Sequence, residues 1–161
     1  VPEPLRRRDA SHLDPAWVDC FDARQRAMYL LLKGKDMAAA ELLPNAFFRM
    51  QVGIDAYERG AYYDALPALE QAYRSAAEEG RPRLMLQAKL FSGNCYCNLL
   101  KFEQMERHYA VARRLAQALG AARDLAAMEY NEASSWVECG DYARAEKFFA
   151  AFEQAGVMEL Q

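Results

Sequence analysis

Apolar residues recur at three- and four-residue steps from Ala16 almost to the end of the chain, in blocks separated by short polar or glycine-bearing links. That spacing belongs to amphipathic helices, and no run alternates residue by residue as a half-buried strand would. The blocks predict helices over about 16–33, 37–43, 46–59, 62–79, 83–100, 102–119, 122–139 and 142–156, so the expected fold class is all-α. Start signals agree. Asp14 precedes Pro15, Asn45 precedes the block at 46, and Pro82 opens the block at 83. Stop signals agree too, with Gly34, Gly60, Gly80, Gly120, Gly140 and Gly156 at or just past helix ends. Pro44 limits the second helix, and Pro67 falls inside the fourth, where a local kink is expected.

Laid over one another, the later blocks repeat every 40 residues. Gly60-Ala61-Tyr62-Tyr63-Asp64-Ala65 is followed by Leu100-Lys101-Phe102-Glu103-Gln104-Met105 and by Gly140-Asp141-Tyr142-Ala143-Arg144-Ala145. Leu69, Tyr109 and Phe149 share a register, as do Ala72, Ala112 and Phe152, and Gly53, Gly93 and Ala133. A fixed period of this size marks one supersecondary unit stacked on copies of itself, each leaving an apolar face that its neighbour covers. Glycine or alanine at 53, 93 and 133 is expected to let a neighbouring backbone approach. The aromatic at 62, 102 and 142 should fill the space beside the turn. Leu100 and Met105 replace the glycine and alanine of the pattern, which predicts a slightly splayed or rotated second unit. Three units result, at about 46–82, 83–121 and 122–157. Ahead of them stand an irregular helical pair at 14–44, expected to cap the stack, and a tail at 1–13.

The glycine-x-aromatic-x-x-alanine core of this pattern resembles the tetratricopeptide repeat, over roughly two thirds of the chain. The 40-residue period resembles the long-helix variants of that family found in bacterial peptide-sensing regulators and in scaffold proteins. The resemblance implies helical hairpins stacked as a right-handed superhelix, whose first helices line a concave groove for peptides or protein segments. Carried over position by position, groove-facing residues would be Phe47, Met50, Gln51, Ile54, Tyr57 and Glu58 in the first unit. In the second they would be Gln87, Leu90, Phe91, Asn94, Cys97 and Asn98, and in the third Ala127, Tyr130, Asn131, Ser134, Val137 and Glu138. The nominated binding residues are Gln51, Tyr57, Gln87, Phe91, Asn94, Asn98, Tyr130, Asn131 and Glu138. An asparagine amide can donate to and accept from a peptide backbone at once. Asn94 and Asn131 match two asparagines by which some members hold a C-terminal carboxylate. The lysine of that set would fall at Leu90, so recognition of a free carboxylate is not expected.

The formal charge of −3 favours neither nucleic acid nor an anionic membrane as a partner. Arg6-Arg7-Arg8 is followed at once by Asp9 and reads as a solvated tail. No segment approaches the ~18–20 apolar residues of a membrane span, and the first residues lack the apolar core of a signal peptide. Cys20, Cys95, Cys97 and Cys139 are expected to be reduced thiols of a cytoplasmic protein. A chain that starts at Val1 is expected to be a processed or excised piece of a longer protein.

No catalytic, cofactor or metal residues are nominated. Gly34-Lys35 is followed by Asp36 where a phosphate loop needs Ser or Thr, and no dinucleotide, zinc-protease or serine-hydrolase motif occurs. Cys95 and Cys97, two apart on one helix, point to different sides, and His12 and His108 are the only histidines. The expected function is therefore a non-enzymatic interaction module. A peptide-sensing domain of a bacterial regulator is one alternative. The other is a structural, self-associating repeat, for which Phe148, Phe149, Phe152 and Met158 crowd the last helix with no partner helix after it and make a homodimer conceivable.

Overall fold

The computed structural model describes residues 20–147, 149 and 150. Its helices are α1 (Ala23–Leu32), α2 (Asp36–Leu42), α3 (Ala46–Glu58), α4 (Tyr62–Glu78), α5 (Pro82–Asn98), α6 (Phe102–Ala118) and α7 (Ala122–Glu138). The chain is helical again from 142. No strand occurs among the described residues.

Within the helix expected over 16–33, Cys20, Phe21 and Asp22 are not helical, and α1 begins at Ala23. Asp22 accepts from Gln25 N at 2.7 Å and its own N–H donates to Gln25 Oε1 at 3.0 Å, a reciprocal cap that sets the start at Ala23. Asp14-Pro15, the start expected from sequence, lies outside the described residues. Asn45 caps α3 as expected, accepting from Phe48 N at 3.1 Å. A second cap was not visible in the sequence: Glu79, at the far end of α4, accepts from Ala46 N at 2.7 Å.

From Tyr62 onward the helices are metronomic. Helices α4 to α7 each have 17 residues. Each is closed by a residue with positive φ, namely Gly80, Leu100, Gly120 and Gly140, as α3 is by Gly60. The N–H of the following residue reaches back five places, as in Ala61 to Ala56 O and Lys101 to Tyr96 O, both at 2.9 Å. Leu100 takes this left-handed geometry at φ 57 without being glycine. Helix α4 runs unbroken through Pro67, which lies on the exposed side of the helix.

The pairs α3/α4 and α5/α6 pack closely, as does α4 against α5, whereas α6 meets α7 less extensively. Met105 is completely buried, its flexible chain filling the place of the smaller alanine. The core divides as a stack should. One cluster joins Met50, Ala56, Leu69, Ala72, Ala88 and Cys95 across α3, α4 and α5. The next joins Leu86, Met105, Tyr109, Ala112, Ala116 and Met128 across α5, α6 and α7. Ala27, Ala39 and Phe48 tie the N-terminal pair to α3.

Gly53 admits both the backbone and the side chain of Leu69, its added Cβ lying 3.3 Å from Leu69 N, whereas Gly93 admits the Tyr109 ring. A Cβ on Gly53 would lie 2.6 Å from Leu69 Cδ2, and one on Gly93 would lie 2.2 Å from Tyr109 Cε1. The aromatic beside the turn differs between units: Tyr62 packs across the turn on Tyr57, with centroids 5.7 Å apart. Phe102 reaches forward to Trp136 of the next unit, with ring centroids 5.7 Å apart, whereas Tyr142 is 69% exposed. Contacts also join first helices directly, α3 with α5 and α5 with α7. The nominated residues lie on these three helices.

Candidate functional site

The first helices bring five of the nominated side chains into one continuous cluster. Tyr57 of α3 meets Phe91 of α5 edge-on, with centroids 5.3 Å apart, and its hydroxyl is hydrogen-bonded to the Asn98 side chain. Asn98 Nδ2 donates to Asn94 O at 2.8 Å, one turn back on α5. Asn131 of α7 donates from Nδ2 to Asn94 Oδ1 at 3.2 Å, which links α5 to α7. Tyr57, Phe91, Asn98, Asn94 and Asn131 thus run across all three first helices.

The other nominated residues are placed less tightly. Gln51 and Gln87 are half-buried on α3 and α5, while Tyr130 and Glu138 are exposed on α7. Of the wider groove set, Met50 does not belong there. It is 1% exposed and packs in the first core cluster, with Ile54 against the same cluster. Among the nominated positions Glu138 is the only charged group, and Glu58, at the end of α3, adds a second carboxylate. Phe148, Phe152 and Met158 of the expected self-association face lie outside the described residues, and Phe149 is 37% exposed.

One residue of the cluster escaped the sequence reading. Tyr109 stands in the register of Leu69 and reads as a core filler. Its ring does fill the core, over Gly93, but its hydroxyl emerges between the two asparagines. It donates to Asn94 Oδ1 at 2.5 Å and accepts from Asn131 Nδ2 at 3.3 Å. Burial, the largest influence, raises its ionisation well above the ordinary tyrosine range, so the hydroxyl keeps its proton and remains a donor. Burial also raises the Tyr57 hydroxyl, against an opposing hydrogen bond from Asn98.

A second strand of polar contacts lies beside the asparagines. Ser135 donates to Asn131 O at 2.7 Å and meets Cys97 Sγ at 3.0 Å. Cys95, two residues away, is completely buried, and burial pushes its thiol up to about 12. The two cysteines therefore face different surroundings, as their spacing requires. Among the described residues no group of three or more His, Cys, Asp or Glu is arranged to hold a metal ion. None of the described helices is long and apolar enough to cross a membrane.

Compared with models of protein families, with curated proteins and with solved structures, the chain finds no match.

Proposed function

We propose that this chain is a peptide- or protein-interaction module of the tetratricopeptide kind, which takes an extended segment along the face shared by α3, α5 and α7. The observation that supports this most directly is the Asn94–Asn131 bond. It joins two first helices side by side and leaves each amide with one unused group. Asn94 Nδ2 and Asn131 Oδ1 have no hydrogen-bond partner among the described residues, and neither is sealed from solvent. Polar atoms are ordinarily satisfied when buried; here two accessible ones belong to amides bonded to each other, on helices that also carry the paired rings of Tyr57 and Phe91. Polar groups of fixed direction beside apolar surface are what a recognition site needs. The role is non-enzymatic, and the free thiols of Cys20, Cys95, Cys97 and Cys139 accord with a reducing, cytoplasmic setting.

The test is a pull-down from native lysate with wild type beside an Asn94→Ala/Asn131→Ala double variant, read by mass spectrometry. Melting of both proteins is followed in parallel, because the asparagines also tie α5 to α7. A partner kept by wild type and lost by a variant that still melts cooperatively supports the groove. An identical catch from both proteins sinks it.

A further inference from the structure

Resting on that groove reading, we infer that Tyr109 is a positioning residue of the groove, and that it makes the Asn94–Asn131 pair a reader of amides rather than of carboxylates. An asparagine side chain is ambiguous by itself, since rotation by half a turn exchanges its donor for its acceptor. Tyr109 couples the two amides: its hydroxyl donates to one amide oxygen and accepts from the other amide nitrogen, so the pair is held in opposite senses. Its hydroxyl, buried and protonated, must donate, and the acceptor it meets at 2.5 Å is Asn94 Oδ1. Asn94 Nδ2 is thereby turned outward. Asn131 Nδ2 is drawn inward to the same two oxygens, at 3.2 Å and 3.3 Å, which turns Asn131 Oδ1 outward. The groove is left with one donor and one acceptor in adjacent positions.

A secondary or primary amide complements that pair, its C=O taking the Asn94 N–H and its N–H reaching Asn131 Oδ1. A carboxylate has no donor and would set its lone pairs against Asn131 Oδ1. No lysine or arginine stands among the nominated groove positions to offset this, and the two charged residues of the wider groove set, Glu58 and Glu138, are acidic. The ligand chemistry assigned is therefore an internal peptide bond or a side-chain carboxamide in an uncharged or basic segment. The orientation is held from behind, because Tyr109 cannot shift while its ring occupies the space over Gly93.

Tyr109→Phe keeps the ring and removes the constraint. Asn94 Oδ1 can still accept from Asn131, so no buried acceptor is orphaned, but that single bond is then all that opposes the turning of one amide. The probe is a set of immobilised hexapeptides made as twins, one with a C-terminal carboxamide and one with a free carboxylate. They are short enough that the terminus must lie within the groove. Wild type should bind carboxamide members about tenfold or more tightly than their twins. In Tyr109→Phe that ratio should fall to about threefold or less with a cooperative melt retained, a change of preference that a packing role alone does not produce. Should Tyr109→Phe not fold, Asn94→Asp serves instead. It keeps the acceptor for Tyr109 and replaces the outward donor, so carboxamide binding should fall about tenfold. Equal binding of twins by wild type, an unchanged ratio in Tyr109→Phe, or full carboxamide binding by Asn94→Asp overturns the assignment while leaving the groove standing. No hexapeptide bound by wild type, or binding that survives Asn94→Ala/Asn131→Ala, overturns the groove reading and this inference with it.

Discussion

The ring of Tyr109 occupies the space into which a side chain at position 93 would grow: a Cβ there would lie 2.2 Å from Cε1 and 2.3 Å from Cδ1. Leu69 stands in the same relation to Gly53, at 2.6 Å. The two contacts differ in what can give way. The Leu69 end is flexible and can change rotamer, whereas the Tyr109 ring is rigid and anchored at its hydroxyl. Gly93→Ala should therefore destabilise by about 1–3 kcal/mol, even though alanine favours a helix interior by roughly 1 kcal/mol. Gly53→Ala should cost clearly less. Urea unfolding of both variants decides it. Adding Tyr109→Ala to Gly93→Ala should cost less than the sum of the single changes, since the clash is then gone.

Leu100 holds a backbone conformation at φ 57 that glycine holds at the equivalent links. A non-glycine residue there stores roughly 1–2 kcal/mol of strain. Its side chain is 64% exposed and returns little by burial. Leu100→Gly should thus raise stability by up to about 1 kcal/mol, after allowing for the greater freedom of glycine in the unfolded chain. A melting temperature that falls instead would show that Leu100 makes a contact worth more than its strain.

How far these features could be read in advance follows from what a period encodes. Repetition every 40 residues reports the size of a residue at each place, so most of the helices and the columns of small residues at 53 and 93 and large ones at 69 and 109 were legible, but not that 69 packs on 53 and 109 on 93. It does not report a polar tip. Tyr109 and Leu69 occupy one column, and nothing in the pattern says that the tyrosine hydroxyl reaches through to two asparagines. Nor does it report what the unique residues do. Glu132 falls in the column of Val52 and Ser92, so its partnership with Arg113 of α6 needed the tertiary structure. The Asp22/Gln25 cap was legible, but the stronger-looking Asp14-Pro15 pair masked it.

Glu132 is 2% exposed and ion-paired to Arg113 between α6 and α7. Burial pushes its carboxyl up to about 7, outweighing Arg113, with Glu106 and Glu129 adding repulsion. The raised group keeps its proton in the folded chain after the unfolded chain has lost it. Its contribution is therefore greatest below the unfolded value of 4.5 and declines as pH rises to about 7, where it levels off. The total change is at most on the order of 3 kcal/mol. Other carboxylates titrate as pH changes, so the comparison is with Glu132→Gln. The stability of that variant relative to wild type should improve steadily between pH 4.5 and 7. A difference that stays flat with pH would contradict the assignment.

The four thiols provide a graded probe of the stack. Cys20 and Cys139 are exposed, Cys97 is half-buried against Ser135, and Cys95 is completely buried with its thiol raised to about 12. Alkylation needs both access and thiolate. Pulsed N-ethylmaleimide followed by peptide mass mapping should find Cys20 and Cys139 modified first, Cys97 later, and Cys95 only at the rate at which α3, α4 and α5 separate. Low urea should accelerate Cys95 far more than Cys139. Cys97 adds a second reading, because it lies beside Asn131 through Ser135. A segment bound along α3, α5 and α7 should slow Cys97 while leaving Cys20 and Cys139 unchanged. If a bound partner protects Cys139 and leaves Cys97 open, it sits at the link after α7 instead of on the face shared by the first helices.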